Sequence, residues 1–386
     1  MKLNHDLHLA YCTNIHRGES WPETMAALQE FTLAVRDRVC LGKPYAIGLR
    51  LSDLASRELS QPSALLAFRH WLDRNNCYIF TINGFPYGRF HGQRVKEQVY
   101  LPDWTSQDRV NYTNHLFDLL AQLVPAGVEG SVSTVPGSFK EFITTPEQIR
   151  QIQTNIFSCV EHVAKVSEDS GRRLHLGLEP EPLGLLETTD ETVRFFDDLR
   201  AEHGNDSRLT AYLGVNYDAC HLAVEFEDPA ESLALLLQHG IKISKLHLSS
   251  ALKVRPTPEA LGALAVFADD TYLHQVVARD ADGKLTRHKD LAEALKEPAS
   301  PEEEWRVHFH IPLHSPPSEW FGNTTDYLLG ILDALQKDPL LCSHLEMETY
   351  TWEVMPPELK SRSVVEQLSS EYEWCLAALR KRGLAD

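Results

Sequence analysis

"RLHLGLEPEP", residues 173–182, sets leucines at 174, 176 and 178 and then ends in two carboxylates, Glu179 and Glu181, each followed by proline. Successive side chains of a strand point to opposite faces. Leu174, Leu176 and Leu178 therefore share one face, and His175, Gly177 and Glu179 share the other. If the leucine face packs on helices, Glu179 points inward at the carboxyl end of its strand. A buried carboxylate needs a compensating partner. The fold therefore depends on whether other strands end the same way.

They do. In "YLGVNYD" (212–218), Leu213 and Val215 oppose Gly214, Asn216 and Asp218. In "SKLHLS" (244–249), Leu246 and Leu248 oppose Lys245 and His247. In "HLEMETY" (344–350), Leu345 and Met347 oppose Glu346 and Glu348. Five further strand-like runs lie at 7–14, 45–51, 77–84, 128–135 and 306–313, and amphipathic helical patterns separate most of the nine. "TPEQ" from Thr145, "TTDE" from Thr188 and "DPAE" from Asp228 read as helix starts, with Gly171 and Gly240 as stops.

Alternating strands and helices predict a parallel α/β sheet, closed as a (β/α)8 TIM barrel or open and doubly wound. The chain lacks G-x-G-x-x-G and a P-loop, which weakens the open nucleotide-binding sheet. One single barrel domain over 1–386 is expected, with an insertion at 251–305, after the seventh strand and before the last, carrying a hairpin that turns at Asp282-Gly283.

A barrel builds its site at the carboxyl ends of its strands. Glu179, Asp218, His247 and Glu348 are placed there together, a costly burial unless a cation compensates them. Carboxylate oxygens with imidazole nitrogen suit Mn²⁺, Co²⁺, Zn²⁺ or Mg²⁺. His221, in "DACH", reaches the same mouth as a further ligand or a substrate contact. Glu181 and Glu346 are read as lying beside the ligands or in solvent. Lys245 shares the His247 face and either polarises a carbonyl as a catalytic residue or neutralises buried carboxylates. "CTNIH" offers Asn14 and His16 for substrate hydroxyls. "NGFPYGRFHG" (83–92) reads as a substrate-covering loop, with Asn83, Phe85 and His91 as candidates. "HFHIPLH" puts His308 and His310 on one strand face, toward substrate or metal or as rim histidines, and His274 is a weaker candidate.

Composition excludes other classes. With 37 basic and 55 acidic residues, the net charge of −18 repels phosphate backbones and anionic membranes. No apolar run approaches the ~20 residues of a membrane span. The start "MKLNHDLHLAYCTN" lacks an apolar signal core, and the seven scattered cysteines form no C-x-x-C pair, so a cytoplasmic protein with reduced thiols is expected.

The order Glu, Asp-x-x-His, His, Glu on successive late strands resembles the xylose-isomerase-like TIM-barrel superfamily of sugar and cyclitol isomerases, ketose 3-epimerases, inosose dehydratase and endonuclease IV. A closer resemblance is to the EboE-like metabolite traffic family of bacterial ebo clusters. It is carried by "AYCTNIHRGESW" (10–21), "TINGFPYGRFHG" (81–92), "YLPDW" (100–104), "LGLEPEP" (176–182), "YDACH" (217–221), "TYLHQ" (271–275), "HFHIPLH" (308–314) and "ETYTWEVMP" (348–356). The superfamily resemblance implies Glu179, Asp218, His247 and Glu348 as metal ligands and Glu179 with Glu348 as an acid/base pair. The family resemblance implies a small metabolite and functional partners from the same cluster. The chain departs from the epimerases in two ways: "HLSSALKVRP" holds no match for their substrate arginine, and the insertion and the His308/His310/His314 group lie outside their pattern. The expected activity is metal-dependent isomerisation or epimerisation of a sugar or cyclitol, or dehydration by the same parts. Metal-dependent hydrolysis of the endonuclease IV type and a non-catalytic metabolite carrier are the alternatives.

Overall fold

The structure is a computed structural model describing residues 1–89, 95–269, 271–350 and 362–386. The first seven strands are β1 (His8–Tyr11), β2 (Tyr45–Arg50), β3 (Cys77–Asn83), β4 (Gly130–Thr134), β5 (Leu174–Leu178), β6 (Leu213–Asp218) and β7 (Lys242–Leu248). The chain then forms β8 (Ala251–Val254), β9 (Val276–Arg279), β10 (Leu285–His288), β11 (Glu304–His310) and β12 (Phe321–Asn323) before β13 (His344–Met347).

Eight parallel strands run in the order β1-β13-β7-β6-β5-β4-β3-β2, and a parallel bridge from Cys12 to Gly48 joins the two ends. This is the expected (β/α)8 barrel. The capping signals place its helices. Gln148 reaches back to the Thr145 N–H at 3.0 Å, opening the helix Pro146–Ser170, which Gly171 closes with φ of 66°. Asp228 accepts from the N–H groups of Ala230 and Glu231 at the start of Pro229–Gln238. The alternating leucines of β5 pack outward in the main hydrophobic core with Ile152, Ile156 and Val160 of that long helix.

The inward faces stack in layers. At the amino-terminal end His8 stacks on Phe80, and Ser131 Oγ lies 2.8 Å from His344 Nδ1. Above them Lys245, Glu346, Asn83 and Ser133 form a buried polar layer. The carboxylates and His247 lie above that.

The strand-like run at 306–313 is not a barrel strand. Residues 306–310 fall on β11, in a separate antiparallel sheet of order β10-β9-β11-β8-β12, and 311–313 lie beyond its end. The β9–β10 hairpin turns at Gly283, with φ of 85°. The sheet runs on beyond residue 305, because β11 pairs with both β8 and β9 and β12 pairs with β8. It has its own core, built around Leu252, Val276, Trp305, Val307 and Phe309. Ties to the barrel loops hold it over the mouth: Gln275 Nε2 donates to the Pro182 carbonyl at 3.0 Å, and the Val95 N–H donates to the Thr271 carbonyl at 2.9 Å.

Candidate metal centre and cavity

Strand parity delivers the four side chains to one point. Glu179 follows β5, Asp218 ends β6, His247 is the penultimate residue of β7 and Glu348 follows β13. His247 Nδ1 lies 2.9 Å from Glu179 Oε1, 3.4 Å from Asp218 Oδ2 and 3.0 Å from Glu348 Oε2. One ligand atom from each of the four lies within 4.8 Å of the others, and all four residues are buried.

These residues fit a divalent cation. Asp218 Oδ1 accepts from the His221 N–H at 2.9 Å and from Ser249 Oγ at 2.8 Å, whereas its buried Oδ2 has no hydrogen-bond partner among the described residues. Three carboxylates around one imidazole leave negative charge uncompensated, which a cation would neutralise. Without an ion, a proton on His247 takes part of that role. Burial opposes the proton, but the Glu348 and Glu179 carboxylates outweigh burial and hold His247 well above the ordinary imidazole range. Burial likewise opposes ionisation of Asp218, but His221 and His247 overcome it and hold that carboxyl well below its usual range.

Glu346 lies beneath the cluster, with Oε2 3.0 Å from His247 Nε2 and 2.6 Å from Lys245 Nζ. Its Oε1 accepts from Asn83 Nδ2 at 2.9 Å. Burial raises the Glu346 carboxyl, but Lys245 and His247 bring it down to about 2. Lys245 is 1% exposed and does not line the cavity. Its ammonium donates to Asn83 Oδ1 at 2.6 Å, Ser133 Oγ at 3.1 Å and Glu346. Three donors meet three acceptors.

A narrow cavity of about 60 Å³ opens beside the cluster. Asn14, Asn83, Ser133, Glu179, Glu181, His221, His308 and Glu348 form its polar wall, and Phe85, Val99, Tyr100, Tyr272 and Tyr350 its aromatic and aliphatic side. Asn14 Nδ2 donates to Glu348 Oε1 at 2.7 Å. Glu181 is buried here, and burial pushes its carboxyl up to about 8 despite the opposing pull of His221.

The structure does not bring every candidate to this cavity. His16 lies outside it, because the turn at Thr13–Ile15 carries the ring onto Phe31, stacked at 4.7 Å, with Nε2 2.8 Å from the Tyr11 hydroxyl. His310 packs behind the lining, its Nδ1 3.0 Å from the Glu348 carbonyl. His274 bonds Asp269 and the His308 carbonyl instead of facing the cavity. His314 does not line the cavity. His91 lies outside the described residues. Glu181 and Glu346 are buried rather than solvated. Ser133, Ser249 and Gln275 are contributors that the sequence reading passed over. Ser133 and Ser249 lie on the inward parity of β4 and β7, a signal already present, whereas Gln275 reaches the mouth only through the inserted sheet.

No known sequence family and no curated protein matches the chain, so the EboE-like resemblance rests on its motifs. Solved structures do share its fold. A xylose isomerase-like TIM barrel protein from Mycobacterium smegmatis in complex with magnesium matches with a TM-score of 0.55 at 14% identity, over 99% of this chain and 99% of that one. An L-ribulose 3-epimerase matches with a TM-score of 0.52 at 13% identity, over 97% of this chain and 95% of that one. The probable 3-DHS dehydratase AsbF from Bacillus anthracis matches with a TM-score of 0.50 at 13% identity, over 96% and 98%. The fold is that of the xylose-isomerase-like TIM barrels.

Proposed function

We propose that this protein is a divalent-metal-dependent isomerase or epimerase of a small polyhydroxylated metabolite, a sugar or cyclitol. The observation that carries the reading is the convergence of Glu179, Asp218 and Glu348 on His247 Nδ1, at distances of 2.9, 3.4 and 3.0 Å. The fold shared with an L-ribulose 3-epimerase and with a magnesium-bound barrel supports it. Glu179, Asp218, His247 and Glu348 would hold the ion, and their oxygen and imidazole donors suit Mn²⁺, Co²⁺, Zn²⁺ or Mg²⁺. When bound, it would supply positions for two substrate oxygens and polarise a carbonyl.

The chain's own groups do the rest. Glu179 and Glu348 both line the cavity, so one takes the proton from the carbon next to the carbonyl and the other returns a proton to carbon. Asn14 fixes the Glu348 carboxylate, leaving Oε2 toward His247. Asn83 and His221 offer polar contacts to substrate hydroxyls on the cavity wall. Lys245 neutralises Glu346 and keeps His247 oriented, in preference to touching substrate. The aromatic side excludes water from the exchanging proton. Among the described residues no helix is long and apolar enough to cross a membrane. The activity would then serve metabolite traffic with cluster partners, a reading that the EboE-like motifs support.

Carbon-bound deuterium is the deciding readout. Turnover of a panel of ketoses and cyclitol ketones in D₂O is expected to place deuterium next to the carbonyl, and Glu348→Gln is expected to cut that exchange by about 10²- to 10⁴-fold. Solvent oxygen in the product without carbon-bound deuterium would replace this reading with hydrolysis, which the imidazoles of His221 and His308 on the cavity wall favour as the second reading. Binding with neither label would make the barrel a carrier.

A further inference from the structure

The barrel has a second cavity at its opposite end. It measures about 380 Å³ and is lined by residues at the amino ends of β1, β4, β5, β7 and β13. Because all eight strands are parallel, this face points away from the metal centre. Its charge has the opposite sign. Lys2, Arg173 and Lys242 line it against Asp6 and Glu129, an excess of cations in a chain whose net charge is −18. Lys2 and Asp6 pair with each other at 2.5 Å. Among the lining residues that leaves Glu129 to serve both Arg173 and Lys242.

Glu129 does not satisfy these donors. Its Oε1 lies 3.2 Å from Arg173 Nη1, and its Oε2 lies 3.4 Å from both Lys242 Nζ and His175 Nε2. All three distances exceed the about 2.7–2.9 Å of a strong hydrogen bond between charged groups. Arg173 carries five N–H donors and Lys242 three. Glu129 is the only side-chain partner of either among the described residues. His175 lines the same cavity and is 2% exposed, yet neither ring nitrogen has a hydrogen-bond partner among the described residues. A buried imidazole left unpaired costs free energy that a bound acceptor recovers.

We propose that this cavity binds a phosphate group through Arg173, Lys242 and His175, with Glu129 as an internal competitor. A carboxylate is already present in Glu129, and its two oxygens leave the donors at 3.2 and 3.4 Å. A tetrahedral oxyanion offers one oxygen to each donor, and its negative charge answers the two cations. The cavity is larger than a phosphate ion and leaves room for a small group esterified to it. The site goes beyond the function argued above and does not depend on an ion at His247.

Calorimetric titration of the full-length protein with inorganic phosphate tests it. Saturable binding is expected, weakened by roughly 10- to 100-fold in Arg173→Ala and in Lys242→Met, the loss of a hydrogen bond to a charged group. Glu129→Gln removes the competing carboxylate and is expected to tighten the complex. No saturable binding would overturn the site. So would an affinity that Arg173→Ala and Lys242→Met leave unchanged, which would put the ion elsewhere. A weaker complex in Glu129→Gln would overturn the competing role of Glu129. Arg173 is exposed, so Arg173→Ala decides alone should Lys242→Met fail to fold. Competition with glucose 6-phosphate then separates the sources. Displacement of phosphate at a lower concentration than phosphate itself needs supports an esterified ligand, and displacement only at a higher one supports the free ion.

Discussion

His247 Nε2 lies 3.0 Å from Glu346 Oε2 while Nδ1 of the same ring faces the carboxylate cluster. One imidazole thus links the polar layer in the barrel to the candidate metal centre above it. Glu346 fixes the plane of the ring, and Lys245 fixes Glu346.

Glu346→Gln should therefore do two separable things. It removes the oriented acceptor behind His247, which is expected to weaken metal affinity by about 10- to 100-fold. It also leaves the buried Lys245 ammonium without its carboxylate, at a cost of about 3–5 kcal/mol. Lys245→Met added to Glu346→Gln should recover most of the stability and none of the affinity. Urea unfolding and Mn²⁺ titration of the two variants separate the effects. Full recovery of affinity in the double variant would remove Glu346 from its orienting role.

A cation bound only by the folded chain raises its stability by mass action, about 2.7 kcal/mol at a hundredfold excess over Kd. Apo protein should show a rise in Tm with Mn²⁺, Co²⁺ or Zn²⁺. Glu179→Gln should lose most of the Mn²⁺ response, because it removes one of the three carboxylates around His247 Nδ1. Calorimetry in each metal checks this, and an absent shift with every cation would refute the centre.

Much of this site was legible because barrel geometry turns strand parity into position. Leu174, Leu176 and Leu178 gave the helix-packing face, and the opposite parity at Glu179, Asp218, His247 and Glu348 gave the mouth. Parity assigns a side chain to a face but not to a layer. Lys245 and Glu346 lie one step below the ligands and are enclosed, while Glu348 reaches the cavity. Parity also says nothing of loops. Asn14 and His16 are two residues apart, yet the turn between them sends Asn14 to Glu348 and His16 to Tyr11. Of the inserted sheet only the hairpin at Asp282-Gly283 was legible, because β11 carries the same alternation as a barrel strand. Its neighbours are long-range antiparallel partners that local sequence does not announce.

Gly48 offers a test of the polar layer from the opposite side. A Cβ at this position would stand 1.7 Å from Glu346 Oε1 and 2.7 Å from the Tyr11 carbonyl oxygen. Neither neighbour has room to yield, since Glu346 is buried and bonded to Asn83, Lys245 and His247. Gly48→Ala is expected to destabilise by at least about 1–3 kcal/mol and to weaken Mn²⁺ binding by displacing Glu346. Denaturant midpoints and metal titration measure the two effects, and a neutral Gly48→Ala would show that the barrel interior is looser than this packing requires.

The pH dependence of stability should carry a contribution from Glu371, on the last helix, Val364–Arg380. Its Oε1 accepts from Thr349 Oγ1 at 2.8 Å and from the Leu313 N–H at 3.1 Å, while its buried Oε2 has no hydrogen-bond partner among the described residues. Burial pushes the carboxyl up to about 7, against the lowering effect of those donors. The sign follows from proton counts. Below the ordinary glutamate value of about 4.5 both states hold the proton and the group contributes nothing. Between there and about 7 the unfolded chain releases the proton while the folded chain keeps it, so stability falls as pH rises. The full penalty, roughly 3 kcal/mol from a shift of that size, is present above about pH 7. Glu371→Gln keeps the Oε1 acceptor and cannot ionise, so its stability curve should be flatter than that of wild type across this window, and the two should diverge steadily as pH rises. Urea unfolding of both proteins at pH values from 5 to 8 measures the divergence. Parallel curves would show that Glu371 ionises in the folded chain as readily as in the unfolded one.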